Sequence, residues 1–364
     1  MQTESPTTRQ EIVGRDAISG RLVGCGLLSV AVASLALAVP PLRSVARQLT
    51  HLDFRWVAAA IALESASCVG FVVIFRLFFD RVPGHLARRV AWIEQGSGAL
   101  LPGGGVGALA IGGWFLRRSG MSIRDIVDRS SALFFLTSAV NVAALVAGGV
   151  GLALGGGRLD DSLRTAIPIV GGVMATAAVL AIPYVIHRFP RRHWPAWFVD
   201  VSAGIERARR SLRQPDWRLL GALLYLVCDI AALGAAIVAS GRPLGVAPLM
   251  LGYLLGYLAN LIPIPGGFGV LEGGLAGALI AYGAPATQAA AAVIVYHAIA
   301  FWIPTLGGLI AYTLLRRRSN GSDASSCADD HGQGRDAPVI PAGAAAGRTA
   351  TRQRCSRIHP SRTV

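Results

Sequence analysis

Asn260-Leu-Ile-Pro-Ile-Pro-Gly-Gly-Phe-Gly-Val-Leu-Glu272 interrupts an apolar run that opens near Val246 and closes near Tyr282. Its clustered prolines and glycines cannot continue a helix. Broken backbone at membrane depth is tolerated only where it is buried in protein or lines a cavity. A helix restarting at Val270 would direct its free N–H groups and its positive dipole end into that cavity. The stretch therefore predicts a hairpin tip at a polar site, and the alternative is a kink or a loop between two short spans.

The composition is that of a polytopic helical membrane protein. The chain has 364 residues, of which 53% are hydrophobic and only 15% are charged. Apolar runs of about 18 or more residues, enough to cross a bilayer, recur along it. The net charge is +14, and the sequence contains no lysine, which excludes Schiff-base chemistry. A basic membrane protein is expected to meet anionic lipid with its cytoplasmic loops, and not nucleic acid.

The sequence offers little support for soluble-enzyme chemistry. Its five cysteines form no Cys-x-x-Cys pair, and its seven histidines show no metal-ligand spacing. No strand is predicted before either of the two glycine-rich stretches, residues 102–105 and 265–269, so a nucleotide-binding loop is not expected. We therefore expect no metal and no cofactor.

Apolar segments long enough for full spans cover residues 22–39, 56–79, 130–154, 165–187, 217–240 and 286–315. Two further segments, 94–116 and 246–282, are interrupted by proline and glycine. This pattern predicts an all-α fold with six full spans and two re-entrant hairpins, or about eight transmembrane segments in total. Segment 22–39 could pass for a signal peptide, but we interpret it as a retained first helix because further spans follow.

The transmembrane domain is predicted to cover residues 21–316. Residues 1–20 are interpreted as a cytoplasmic N-terminus, and residues 317–364 as a disordered basic tail.

Arginine-rich segments predict the topology. Placing residues 80–93, 117–129, 188–216 and the tail on the cytoplasmic side satisfies the positive-inside rule, with both termini inside. Segment 94–116 then enters from inside with its tip at Pro102–Gly105, and segment 246–282 enters from outside with its tip at Pro265–Gly269. Arginines 43, 47 and 55 oppose this assignment near the first span, whose direction stays open.

Residues 188–216 carry a helical pattern. Trp197, Phe198, Val201, Ile205, Ala208 and Leu212 fall on one face, and most arginines lie elsewhere. The pattern is typical of an interfacial amphipathic helix. A solvated basic linker is the alternative.

The two halves of the chain match after a shift of 163 positions. The shift places Pro102-Gly103-Gly104 on Pro265-Gly266-Gly267, Gly120 on Gly283, and Asp53-Phe-Arg55 on Asp216-Trp-Arg218. We interpret residues 53–154 and 216–315 as inverted repeats. Inverted repeats whose broken helices meet near the midplane are typical of transporters.

Three acids and a histidine are the sharpest candidates for headgroup binding. Glu272 lies in the first turn of the restarted helix, where it would meet a cationic group or carry a proton; alternatively, it caps its own helix or pairs with a neighbouring span. Asp229 and Glu64 lie within spans, so each should face the bundle interior with a partner. Their alternative role is an interhelical ion pair or hydrogen bond. His297 could equally be a hydrogen-bonded core residue. The full candidate set is Glu272, Pro265, Gly266, Gly267, Gly269, Asn260, His297, Asp229, Glu64, Pro102, Gly103 and Gly104.

Residues 20–316 resemble the flippase-like family named after the transmembrane part of lysylphosphatidylglycerol synthase. The resemblance rests on Ile262-Pro-Ile-Pro-Gly-Gly-Phe-Gly-Val-Leu-Glu272, Gly283, Tyr296-His297 and Phe301-Trp-Ile-Pro304. Leu101-Pro102-Gly103 and Arg117-Arg-Ser-Gly120 are similar to the first hairpin of the family and the loop behind it. His297 stands where the family usually has an arginine, so an anion contact there would depend on pH.

The resemblance implies a multi-pass protein of the inner membrane that moves aminoacylated phosphatidylglycerol or a glycosylated polyprenyl lipid between leaflets. Anionic or zwitterionic lipids would be its partners. The aminoacyl-transfer domain of the synthase is not expected here, because only a short tail follows Arg318. The alternatives are a membrane-embedded transferase acting on polyprenyl-phosphate sugars and a non-catalytic subunit of a lipid-modifying assembly. Because Leu109 matches Glu272 in the first repeat, we expect the first hairpin to lack a nearby acid and the second to handle the headgroup.

Overall fold

A computed structural model describes residues 40–101, 105–155, 162–189, 194–213, 216–261 and 269–332. The described residues form helices and no strand. The α-helices are α1 (Pro40–Thr50), α2 (Phe54–Phe78), α3 (Gly84–Leu100), α4 (Gly105–Arg118), α5 (Ile123–Leu154), α6 (Ser162–Arg188), α7 (Ala196–Arg213), α8 (Leu220–Ser240), α9 (Val246–Tyr257), α10 (Val270–Ala281) and α11 (Ala286–Gly332). Short 3₁₀ helices, Trp217–Leu219 and Leu258–Leu261, precede α8 and follow α9.

Within the described ranges, five helices are long and apolar enough to cross a membrane. They are Phe54–Phe78, Ile123–Leu154, Thr165–Arg188, Trp217–Ser240 and Ala286–Arg317. The shorter helices α9 and α10 are also apolar. These elements confirm the prediction of an all-α polytopic membrane protein. The expected first span, 22–39, lies outside the described residues.

The two interrupted segments fold as pairs of packed antiparallel helices. In the first pair, Gly112 of α4 packs against the carboxyl group of Glu94 in α3, and Gly107 packs against Leu101 at the open end. In the second pair, Gly252 and Gly256 of α9 pack against Leu279 and Leu275 of α10, respectively. Most residues of both predicted tips, 102–104 and 265–268, lie outside the described residues.

Equivalent helices of the two halves, α2 and α8, run antiparallel in close contact. The Asp53 N–H donates to the Ala239 carbonyl, which joins the start of α2 to the end of α8. At the other end, a Cβ added to Gly70 would lie 2.6 Å from the backbone nitrogen of Tyr225. An inverted repeat requires this opposite direction of equivalent helices.

The ends of the equivalent helices also match. Asp53 accepts a hydrogen bond from the Arg55 N–H, and Asp216 accepts one from the Arg218 N–H. Gly120 and Gly283 both have a positive φ, 94° and 98°. Each residue after these glycines donates back five positions, Met121 to Leu116 and Ala284 to Leu279, as in a Schellman motif. The shift of 163 residues therefore relates helix caps of the same conformation, and not only similar residues.

Residues 196–213 of the basic segment form helix α7, and its apolar face packs against α5. Ile205 and Ala208 are buried, and Gly204 contacts Ser131 and Phe135 of α5. Arg207 pairs with Asp128 of α5. Of the two interpretations of this segment, the structure favours the helix, but α5 covers the face that would otherwise lie in lipid.

One predicted boundary differs from the structure. The first hairpin begins at Gly84 and not at residue 94, because Ala87, Val90 and Ala91 form a buried face even though Arg88 is exposed. The chain divides into two compact units, residues 1–308 and 309–364. Helix α11 is described as far as Gly332, and the disordered tail predicted for residues 317–364 stays a prediction. No proline interrupts the chain between residues 305 and 332. The rest of the predicted tail, 333–364, lies outside the described residues.

Candidate polar sites within the membrane domain

Asp229 of α8 is the centre of a buried hydrogen-bonded cluster. Only 7% of its surface is exposed. The Tyr253 hydroxyl of α9 donates to Oδ2 over 2.5 Å, and the Tyr296 hydroxyl of α11 donates to Oδ1. The Tyr296 and Tyr257 hydroxyls are 2.9 Å apart. Both carboxyl oxygens of Asp229 are therefore occupied by phenol groups from two different helices.

Glu64 of α2 brings a second acid to this cluster. It is as buried as Asp229, and the two carboxyl groups interact directly. The Cys68 thiol lies 3.9 Å from Oε1, a weak hydrogen bond, whereas the buried Oε2 has no hydrogen-bond partner. Glu64 and Asp229 face the bundle interior as predicted. Their contacts are hydrogen bonds and an acid–acid contact, and neither forms an ion pair with a described residue. We call Glu64, Asp229, Tyr253, Tyr257 and Tyr296 the acid–tyrosine cluster.

Glycines explain why the two acids meet. A Cβ on Gly70 or Gly221 would clash with backbone atoms of the opposite helix, so α2 and α8 approach more closely than larger residues would allow. Next to this contact, the Ser67 hydroxyl donates to the Tyr225 carbonyl. Glu64 lies six residues before Gly70 on α2, and Asp229 lies eight residues after Gly221 on α8, each about two turns from the crossing. The antiparallel direction then sets the acids opposite each other.

Glu272 and His297 form a separate pair that is partly exposed. The Gly269 N–H donates to Glu272 Oε2 over 2.6 Å, so Glu272 caps its own helix. The other oxygen, Oε1, lies 3.4 Å from His297 Nε2 on α11. Both side chains are about one quarter exposed, at 25% and 27%. The alternatives considered for Glu272, a cap and a contact with a neighbouring span, are thus both present.

A shallow depression of about 260 Å³ opens at this pair. Its lining consists of Glu272, Ile294, His297, Ala298, Phe301 and Trp302. Ile294 and Trp302 are strongly exposed on a spanning helix, so this surface would face lipid in a membrane. The depression therefore presents a polar pair within an apolar rim.

The predicted site residues do not form one lining. Tyr296 and His297 are neighbours on α11, yet Tyr296 donates into the buried cluster and His297 pairs with Glu272 on the exposed depression. The structure thus divides the four sharpest candidates into an interior pair and a lipid-facing pair.

Sequence reasoning assigned neither the three tyrosines nor Glu94 to a site, although Tyr296 belongs to the motif that carries the family resemblance. Tyr253 and Tyr257, spaced i and i+4 on α9, could have been recognised as one polar stripe. Glu94 is buried on α3 against Gly112. The expectation that the first hairpin lacks a nearby acid was therefore wrong: the position that matches Glu272, Leu109, lies on the second arm, and the acid lies on the first. The shift of 163 residues places Glu94 on Tyr257.

Several predicted site residues lie at the edges of the ranges that the structure describes or outside them. Pro265, Gly266, Gly267, Pro102, Gly103 and Gly104 fall outside the described residues, and their proposed role stays a prediction. The backbone of Asn260 belongs to the 3₁₀ helix that follows α9. Gly269 has a φ of 92° at the start of α10, a conformation that favours glycine.

The fold and these sites define a class of polytopic α-helical membrane protein with broken-helix hairpins and acids buried between spans. The sequence matches the family described as the lysylphosphatidylglycerol synthase TM region over residues 26–308. The match covers most of the chain, so the protein belongs to this family. No curated protein matches the sequence.

Proposed function

We propose that this protein moves an anionic or zwitterionic lipid between the leaflets of the cell membrane. The headgroup would pass through the depression at Glu272 and His297, while the acyl chains stay in the bilayer. Membership of a family named after a lipid synthase supports a role in membrane lipid chemistry.

The depression at Glu272 and His297 is the main support for this proposal. A polar pair on a lipid-facing surface is costly unless it meets a polar group. A volume of about 260 Å³ suits a headgroup, and the open apolar rim leaves room for lipid chains beside Phe301 and Trp302. Glu272 offers a negative charge and His297 a hydrogen-bond donor or, when protonated, a positive charge. Together they can meet both the amine and the phosphate of one headgroup.

The test is leaflet exchange of phosphatidylglycerol with a fluorescent acyl chain in proteoliposomes. Glu272→Gln should slow exchange about tenfold, corresponding to about 1.4 kcal/mol. Glutamine can still cap the helix at this position, so the substitution mainly removes the charge.

Glu206→Gln is a matched control. Glu206 also pairs with a histidine, His187, over 2.7 Å, but on the exposed surface between α7 and α6. It should leave exchange unchanged. Wild-type exchange no faster than that of empty liposomes would contradict the proposal, and equal rates for wild type and Glu272→Gln would remove Glu272 from the mechanism.

A further inference from the structure

The acid–tyrosine cluster has an unusual balance of charge. The groups that interact with its two acids are Cys68 on α2, Tyr253 on α9 and Tyr296 on α11, and Tyr225, Cys228 and Tyr257 lie nearby. No arginine or histidine within the described ranges is among them. Two carboxylates in direct contact, away from water and without a cation, repel each other strongly.

A shared proton resolves this repulsion better than a metal ion would. Both oxygens of Asp229 already accept hydrogen bonds from tyrosines, and the described residues include no group of three His, Cys, Asp or Glu side chains that could hold a metal ion. Glu64 Oε2, in contrast, is buried and has no partner. A proton on this pair would lower the charge to that of one carboxylate and supply the missing donor.

We propose that Glu64 and Asp229 together form a proton-binding site between α2 and α8. The site lies on the interior side of α11, where Tyr296 donates to Asp229. The residue after Tyr296 is His297, which belongs to the lipid-facing pair. Proton binding changes the charge beside Tyr296 and can therefore bias the position of α11. Coupling of this proton to lipid movement rests on the function proposed above, whereas the site itself does not.

The site is tested without lipid transport by infrared difference spectroscopy of the purified, full-length protein. The carbonyl stretch of a protonated carboxylic acid should be present at neutral pH and disappear on alkaline titration. Glu64→Gln should remove this component, and Asp229→Asn should shift its frequency, because the two residues share one proton. Glu206→Gln, an exposed carboxyl, should not change it. Glu94→Gln is measured in parallel to assign any band from that buried acid.

The same component in wild type, Glu64→Gln and Asp229→Asn would overturn the proposal. So would a component that appears only when sodium is replaced by choline, since the pair would then be a cation site. If Glu64→Gln or Asp229→Asn fails to fold, alkaline titration of the Glu94→Gln variant still decides whether a further buried acid holds a proton. An absent carboxylic-acid band in that variant again overturns the proposal.

Coupling is tested in proteoliposomes by imposing a pH gradient with the membrane voltage clamped. The exchange rate of wild type should depend on the direction of the gradient, and that of Glu64→Gln should not. Wild-type exchange that ignores the gradient would overturn coupling. A carboxyl band without any exchange would instead overturn the proposed function and leave the proton site standing.

Discussion

At the residue scale, the buried acids are held by tyrosine hydroxyls, and this arrangement makes each hydroxyl measurable. Tyr296 donates to Asp229 and also contacts the Tyr257 hydroxyl. Removing it leaves one oxygen of a buried carboxyl without its donor, which costs about 1–3 kcal/mol. We therefore expect Tyr296→Phe to lower the melting temperature in detergent, measured by differential scanning fluorimetry.

Tyr184→Phe is the control for this prediction, because Tyr184 lies on the spanning helix α6 and is strongly exposed. It should melt like wild type. If Tyr296→Phe and Tyr184→Phe melt at the same temperature, the hydrogen bond to Asp229 does not contribute to stability.

Glu94 gives the opposite expectation at the same scale. Its carboxyl group is buried, and no described residue donates a hydrogen bond to it or pairs with it in a salt bridge. Replacing a largely buried carboxyl group by an apolar group of similar length removes its desolvation cost, which reaches about 1–3 kcal/mol for a fully buried polar group without a partner. We expect Glu94→Met to raise the melting temperature in detergent.

The neighbouring residue supplies the comparison for Glu94. Gln95 donates from Nε2 to the Cys68 carbonyl over 3.3 Å. Gln95→Met should therefore lower the melting temperature, since it leaves that carbonyl without the side-chain donor. A decrease for Glu94→Met as well would show that the carboxyl of Glu94 has a stabilising partner.

At the element scale, the crossing of α2 and α8 decides whether the acids meet. Gly70→Ala would place a Cβ 2.6 Å from a backbone nitrogen that cannot move without shifting α8. Overpacking of this kind costs about 1–3 kcal/mol. We expect a lower melting temperature and, in the infrared experiment, a weaker signal from the shared proton, because Glu64 and Asp229 would be pushed apart.

Gly171→Ala is the matched substitution on a spanning helix. Nothing lies within 4 Å of a Cβ added at Gly171. Alanine has the higher helix propensity by about 1 kcal/mol, so this variant should be as stable as wild type or slightly more stable. If both glycine variants behaved alike, close approach at the crossing would not explain the geometry of the site.

The sequence predicted the helices and their caps better than it predicted the site. Hydropathy located the described spans, and the 163-residue shift related Asp53 to Asp216 and Gly120 to Gly283, because caps depend on local residues. The sequence did not predict the hydrogen bonds of the three tyrosines, because a tyrosine in an apolar helix follows the same pattern as any core residue. Only the position of its hydroxyl group in the structure shows the difference. The division of Tyr296 and His297 between two polar groups depends on which neighbours surround α11, and only tertiary structure supplies that.

At the scale of the whole molecule, helix length argues that the two hairpins enter the membrane without crossing it. Helices α3 and α4 have 17 and 14 residues, and α9 and α10 have 12 each, whereas a full span needs about 20. Because each pair is antiparallel, its two ends should lie on the same side of the membrane. The arginine-rich segments predict that the ends of the first pair, and both termini, lie in the cytoplasm.

Cysteine accessibility tests this topology in a variant without native cysteines. Arg81→Cys and Ser119→Cys flank the first hairpin, and Arg242→Cys and Ala286→Cys flank the second; all four positions are exposed. A membrane-impermeant maleimide added to intact cells should label the second pair and should label the first pair only after permeabilisation. If the two Cys substitutions that flank one segment were labelled from opposite sides of the membrane, that segment would cross the membrane once and would not be a re-entrant hairpin. For the first segment, a single crossing would also make the span count disagree with the antiparallel direction of α2 and α8.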